Sequence, residues 1–237
     1  QLKGAFSLVL MLEDAVIAAR DIHGFRPLSL GKLDGAYVIA SETCAFDLIQ
    51  AEFIRDIAPG EILFITKKGL KSFRLSETNN KQSFCIFEYI YFARPDSSIY
   101  GHNVHMVRKQ MGRQLAKEAP CDADLVLPIP DSGNSAAFGY AEEAGLPLDM
   151  GMVRNHYIGR TFIQPKQYIR DIAVKVKLNP IRDVVKGKKI VVIEDSIVRG
   201  TTSKGRIRTL REAGAKEVHM RVTCPPHVSP CYYGIDF

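Results

Sequence analysis

No apolar run in this 237-residue chain approaches the roughly 20 residues that a helix needs to cross a bilayer. The N-terminus also lacks the charged, then apolar, then small-residue order of a signal peptide. The expectation is a soluble, cytoplasmic chain with no membrane partner. Nucleotide motifs are missing as well: RGTTSKG lacks the spacing of GxxxxGK[ST], and no GxGxxG follows a strand. An NTPase or a dinucleotide dehydrogenase is therefore disfavoured. Cysteine is sparse, with Cys44, Cys85, Cys121, Cys224 and Cys231 widely spaced and no CxxC pair, which argues against zinc or a thioredoxin-like centre. The six histidines are scattered, and His102 and His105 read as caps of the helix that follows them. There is no internal repeat and no low-complexity tract. The chain opens at Gln1 without methionine and stops at YGIDF on a strand-like run, so a processed or truncated polypeptide is expected.

With 46% hydrophobic residues the chain can bury one large core or two small ones. Two textures divide it. From Phe6 to about Thr66, short apolar runs (FSLVLML, AVIAA, AYVIAS, EILFI) alternate with the turn signals DIHG, LDG and APG, the pattern of an antiparallel meander in an α+β layer. The polar run SETNNKQS at 76–83 marks a boundary, giving domains 1–83 and 84–237. Beyond it, HMVRKQMGRQLAKEA reads as a helix with Met106, Met111, Leu115 and Ala119 on its stripe. Four strands, ADLVLPIPD, PLDMGMV, KKIVVIED and KEVHMRVTC, then alternate with the helices SAAFGYAEEAG and TSKGRIRTLREAG. That alternation means βαβ units and a parallel sheet flanked by helices, an α/β class.

The net charge of +6 is uneven: 15 of the 32 Lys and Arg residues fall between Arg154 and Arg211, against Asp171, Asp183, Glu194 and Asp195. Such a segment suits an anionic partner. Nucleic acid is disfavoured, because only Tyr157, Phe162 and Tyr168 interleave with the cations. A small polyphosphate fits better.

The stretch KKIVVIEDSIVRGTTSKG, at 188–205, sharpens this. Ligands of an open parallel sheet sit at the carboxyl ends of the strands, where Glu194 and Asp195 fall. The turn Arg199, Gly200, Thr201, Thr202, Ser203 then enters a helix, so amides and hydroxyls can surround a phosphate at the positive end of the dipole. Gly200 lets the backbone close in. An isolated acidic pair at a strand end ordinarily caps the next helix. Joined to this turn, it instead asks for a ligand with vicinal hydroxyls near a phosphate, as in a ribose 5-phosphate.

VVIEDSIVRGTTS resembles the motif with which type I phosphoribosyltransferases bind phosphoribosyl pyrophosphate, PRPP. ASETCAFDL, EYIYFARPDS, RNHYIGRTFIQP and REAGAKEVHMR narrow the resemblance to the glutamine PRPP amidotransferase family, over nearly the whole chain. Its members join an N-terminal-nucleophile glutaminase to a phosphoribosyltransferase domain. Ammonia from glutamine displaces pyrophosphate from PRPP, giving 5-phosphoribosylamine for purine synthesis. The resemblance implies that 1–83 is the later part of the glutaminase, so no glutamine hydrolysis is expected here, and that Asp21 is a glutamine-binding remnant.

In the transferase half the resemblance implies that Glu194 and Asp195 hold the ribose hydroxyls, directly or through Mg2+, and that Arg199, Gly200, Thr201, Thr202 and Ser203 bind the 5-phosphate. Asp131, Ser132 and Gly133, in PIPDSGN, match the pyrophosphate loop; many relatives have serine at the position of Gly133. The basic run from Tyr157 to Lys177 matches a lid, with Arg160 and Lys177, together with Asp195, the expected catalytic contacts. His156 stands where arginine is commoner. Cys85 matches a ligand of an iron–sulfur cluster found in some relatives. A cluster needs about four thiolates, and the other cysteines lack the spacing, so none is expected in this chain. Purine nucleotides as feedback inhibitors and a tetramer are further implications. The alternative is a PRPP-sensing regulator that binds nucleic acid, for which no DNA-binding module is found.

Overall fold

The computed structural model describes residues 2–74, 82–155 and 178–234. His156, Arg160 and Lys177 lie outside them, as does most of the polar run at 76–83. The chain forms two compact units, Gln1–His105 with Ser229–Asp236, and Met106–Val228. The boundary expected at residue 83 falls within the first of these.

In the first unit, β1 (Ser7–Met11), β2 (Ala15–Arg20), β6 (Glu61–Thr66) and β7 (Gly69–Arg74) form an antiparallel sheet in the order β1-β2-β6-β7. A second antiparallel sheet, β4-β3-β5, combines β3 (Ser29–Leu33), β4 (Ala36–Ala40) and β5 (Glu52–Asp56). The LDG signal becomes the β3–β4 hairpin turn, with positive φ at Asp34 (48°) and Gly35 (86°), as a two-residue primed turn requires. Ala18, Leu28, Leu30, Ile57 and Leu63 form the core that both sheets share. Helix α1 (Cys44–Ile49), a π-helical turn (Glu88–Phe92) and the two-residue strands β8 (Ser98–Ile99) and β9 (His102–Asn103) also belong to this unit.

The second unit is the α/β half. Strands β10 (Leu125–Pro128), β13 (Lys189–Glu194) and β14 (Glu217–Val222) are parallel, in the order β10-β13-β14. Side chains alternate across a sheet, so each strand feeds two cores. Leu125, Leu127, Ile190 and Val192 pack with Leu210 of one helix, α5 (Thr201–Glu212). Val126, Val191 and Ile193 pack on the opposite face with α2 (Val104–Glu118) and α3 (Asn134–Ala144), through Ala116, Ala136 and Tyr140. Helices thus cover both faces, and Ile190 to Ile193 are fully buried in the central strand. Each such side chain contributes about 1.5–3 kcal/mol of burial free energy.

Two expectations are corrected. PLDMGMV is not a full strand of this sheet: only Leu148 bridges Val126, and β11 (Met152–Arg154) pairs antiparallel with β12 (Leu178–Pro180). Gly151 accounts for the departure, since its Cα sits against Leu127 so closely that a Cβ would lie 2.3 Å from Cδ1. A short helix, α4 (Arg182–Val185), follows β12. The stripe expected on α2 holds only in part, with Leu115 packed partly buried against the core. Met106 is 58% exposed, whereas Val104, Arg108, Gly112 and Ala116 are buried. Backbone approach decides this: a Cβ on Gly112 would stand 1.9 Å from the Ala136 carbonyl oxygen, and one on Gly139 1.8 Å from that of Lys109. Small residues let α2 and α3 touch where larger apolar ones cannot.

Candidate functional site

The site grows from the end of β13. Four apolar residues, Ile190 to Ile193, bury this strand, and it continues until Glu194 and Asp195 lie at its carboxyl end, 3% and 5% exposed. The backbone there is pinned on both sides. Ile129 N–H donates to the Ile193 carbonyl (2.9 Å), while Thr223 and Cys224 N–H donate to the carbonyls of Glu194 (3.1 Å) and Asp195 (2.9 Å). A buried carboxylate needs partners, and both have them. Arg206 of α5 forms an ion pair with Glu194 Oε2. Ser132 and Ser196 each donate a hydroxyl hydrogen bond to Asp195, one to each oxygen. Burial pushes the Glu194 carboxyl up to about 7, against the pull of Arg206 and with a further push from Asp195.

The turn after β13 forms as the sequence requires. Gly200 is the N-cap of α5 in the left-handed conformation (φ 72°), which glycine adopts without strain. Lys204 N–H reaches back to the Gly200 carbonyl at 2.9 Å. Thr201 and Thr202 are exposed in the first turn, Ser203 is buried, and Arg199 is exposed before it. Four N–H groups at a helix start have no intrahelical acceptor, so the turn presents donors and a positive dipole end outward.

The loop after β10 meets β13 from the side. Gly133 N–H donates to the Ile129 carbonyl (2.9 Å), and its Cα lies so near the strand that a Cβ would be 2.5 Å from the Ile193 carbonyl oxygen. Only glycine fits there. A serine hydroxyl is supplied one residue earlier, by Ser132. Asp131 is exposed and ion-paired with Arg154, and a cavity of about 450 Å³ opens beside the pair, walled by Pro128, Pro130, Phe138 and Met152.

Thus Asp131, Ser132, Gly133, Glu194, Asp195 and the 199–203 turn lie at one end of one sheet. Arg206, Ser196 and Arg154 are site residues that the sequence reading missed. Arg154 stands at the head of the basic segment, which was the available signal; Arg206 enters the sequence analysis only as one of the 15 cations of that segment. For Mg2+, the Glu194 and Asp195 carboxylates at this strand end are the residues that would supply donors. That fits a magnesium ion bound by one or two carboxylates and substrate oxygens.

In the first unit Asp21 is fully buried, and its carboxylate accepts from the N–H groups of Phe6 (3.3 Å), His23 (2.9 Å) and Phe25 (3.2 Å). Cys85 lies within electrostatic range of Cys231, though burial is the main cause that raises its thiol. Two thiols are fewer than a cluster needs, so the described residues do not fit one.

The model of the phosphoribosyl transferase domain matches residues 102–230. The chain is 52% identical over 235 residues to the amidophosphoribosyltransferase of Mycobacterium tuberculosis strain H37Rv, covering 99% of this chain and 44% of that protein. With the Bacillus subtilis amidophosphoribosyltransferase it shares 52% identity, over 99% of this chain and 49% of that one. The solved structure of the B. subtilis glutamine PRPP amidotransferase complexed with ADP and GMP superposes with a TM-score of 0.91 at 52% identity, covering 98% of this chain and 51% of that chain. The chain therefore spans about half the length of the relatives it matches.

Proposed function

Since this chain belongs to the phosphoribosyl transferase domain family, we propose that it is the transferase portion of an amidophosphoribosyltransferase of purine synthesis. The reaction is displacement of pyrophosphate from C1 of PRPP by ammonia, giving 5-phosphoribosylamine. Residues 1–83 are, in this reading, the later part of a glutaminase, with Asp21 a remnant of glutamine binding, and the intact protein is cytoplasmic, tetrameric and inhibited by purine nucleotides. The arrangement of Glu194, Asp195, Gly200 and Ser132 at the end of β13 is the observation that carries the proposal.

Each part has a physical role. The Glu194 and Asp195 carboxylates accept from the vicinal ribose hydroxyls, and the amides and hydroxyls of the Gly200–Ser203 turn hold the 5-phosphate. Asp131, Ser132 and Gly133 border the pyrophosphate, with the Gly133 amide backed onto β13. Mg2+, when bound, supplies positive charge to the pyrophosphate oxygens. In the displacement a C–N bond forms at C1 as the C–O bond to pyrophosphate breaks, and the nitrogen then sheds a proton. Negative charge grows on the leaving group, so cations and amides aimed at it act most in the transition state. Ammonia needs no strong base, which leaves the protein to position, neutralise and exclude water. Arg160 and Lys177 are proposed to assist there.

The test is pyrophosphate release from PRPP and Mg2+ with either ammonium salt or glutamine as the nitrogen source. The reading expects release with ammonia and none with glutamine. A folded chain that releases no pyrophosphate with saturating PRPP and ammonia overturns it.

A further inference from the structure

The helix face that α5 turns to the sheet carries Ser203, Arg206, Ile207 and Leu210 at helical spacing, with Leu210 and Ser203 buried. An arginine on such a stripe is costly unless paired. Its side chain is only 19% exposed, its Nε is buried with no hydrogen-bond acceptor among the described residues, and its Nη1 meets Glu194 Oε2. Its partner is one of the two carboxylates that face the ligand end of β13. Glu194 itself is 4% exposed at the side chain and adjoins Asp195, whose two oxygens take hydroxyl donors. Arg206 is therefore the cation the described structure shows paired to this acidic end.

We propose that Arg206 is a positioning residue for PRPP, acting through Glu194: it fixes the carboxylate by one oxygen, so that the other is directed to a ribose hydroxyl, and it offsets the charge of two adjacent carboxylates. This rests on the PRPP reading above. Arg206 does not touch the ligand. The phosphate turn begins at the N-cap of the same helix, so one rigid element sets both the phosphate donors and the carboxylate that receives the hydroxyls.

A cycle of variants of the 237-residue chain tests this by calorimetric titration with PRPP and Mg2+: wild type, Arg206→Met, Glu194→Gln and the double variant, with thermal unfolding in parallel. Arg206→Met should weaken PRPP about tenfold. The double variant should bind like Glu194→Gln alone, within about twofold, because a residue acting through Glu194 has nothing left to act on. Arg206→Lys, which keeps the charge, should recover part of the loss. The double variant also leaves no unpaired buried charge, so it remains informative if Arg206→Met fails to fold. Losses that multiply in the double variant would show that Arg206 meets the ligand itself, and unaltered binding by Arg206→Met would show no role; either overturns the inference. Failure of the wild type to bind PRPP removes the PRPP reading itself, an outcome distinct from both.

Discussion

Ser132, in the loop after β10, donates its hydroxyl to the Asp195 carboxylate at the end of β13, joining two segments far apart in sequence at the point where the sheet ends. A buried carboxylate oxygen with a hydroxyl donor is held in one orientation. That orientation is what a ligand with vicinal hydroxyls encounters.

Replacing Ser132 by Ala removes that donor without opening a large cavity. The expected result is about tenfold weaker PRPP binding, in line with loss of one hydrogen bond to a charged group. The thermal midpoint should move by only a few degrees. Titration calorimetry and scanning calorimetry on the same preparation check both halves.

Gly133→Ser should destabilise rather than add a metal ligand. Its Cβ would lie 2.5 Å from the Ile193 carbonyl oxygen and 2.8 Å from that of Ile129, so backbone must shift. A cost of about 1–3 kcal/mol is expected for forced packing of this kind, measured by denaturant unfolding. Stability equal to wild type would contradict the packing account.

Gly200 is a contrasting glycine. Among the described residues nothing lies within 4 Å of its missing Cβ, so its φ of 72° is the restriction they show. Gly200→Ala should cost about 1 kcal/mol through backbone strain, and Gly200→Asn less, because asparagine tolerates the left-handed region. Binding of PRPP should fall in the same order, since the turn that offers its amides is what shifts.

Acid stability of the first unit should depend on Glu61. Burial alone raises its carboxyl, but hydrogen bonds from Arg55 (2.8 and 2.7 Å), the Ala58 amide (2.8 Å) and Ser72 (2.8 Å) win and lower it to about 2. A depressed carboxyl binds fewer protons folded than unfolded. Its stabilisation is therefore present above about pH 4.5 and is lost as pH falls towards 2. Arg55 is partly exposed, so about 1–2 kcal/mol is the expected size after screening. Glu61→Gln should flatten the pH dependence of unfolding between pH 5 and 2; an unchanged slope would exclude the assignment.

Local signals were the legible ones. The run IVVI, the Glu194-Asp195 pair and Gly200 are contiguous, and period and turn chemistry placed them on strand, strand end and helix start. What escaped depended on distant contacts. Arg206 looks like any cation of a basic helix until the fold sets it against Glu194. The stripe of α2 was misread in part because Gly112 packs by backbone proximity, which a hydrophobic pattern does not record. PLDMGMV has strand composition, yet Gly151 lets the chain settle on Leu127 and leave the sheet. The resemblance marks Asp21 only as a remnant of glutamine binding, and its burial emerges only with the three amides that surround it.

Calorimetric titration of PRPP with Mg2+ into the 237-residue chain, with Asp195→Asn beside it, tests the central claim most directly. The account predicts one saturable binding event, weakened at least about tenfold in the variant. A folded wild-type chain that shows no binding, or binding that Asp195→Asn leaves unchanged, would contradict the assignment of the ligand to the end of β13.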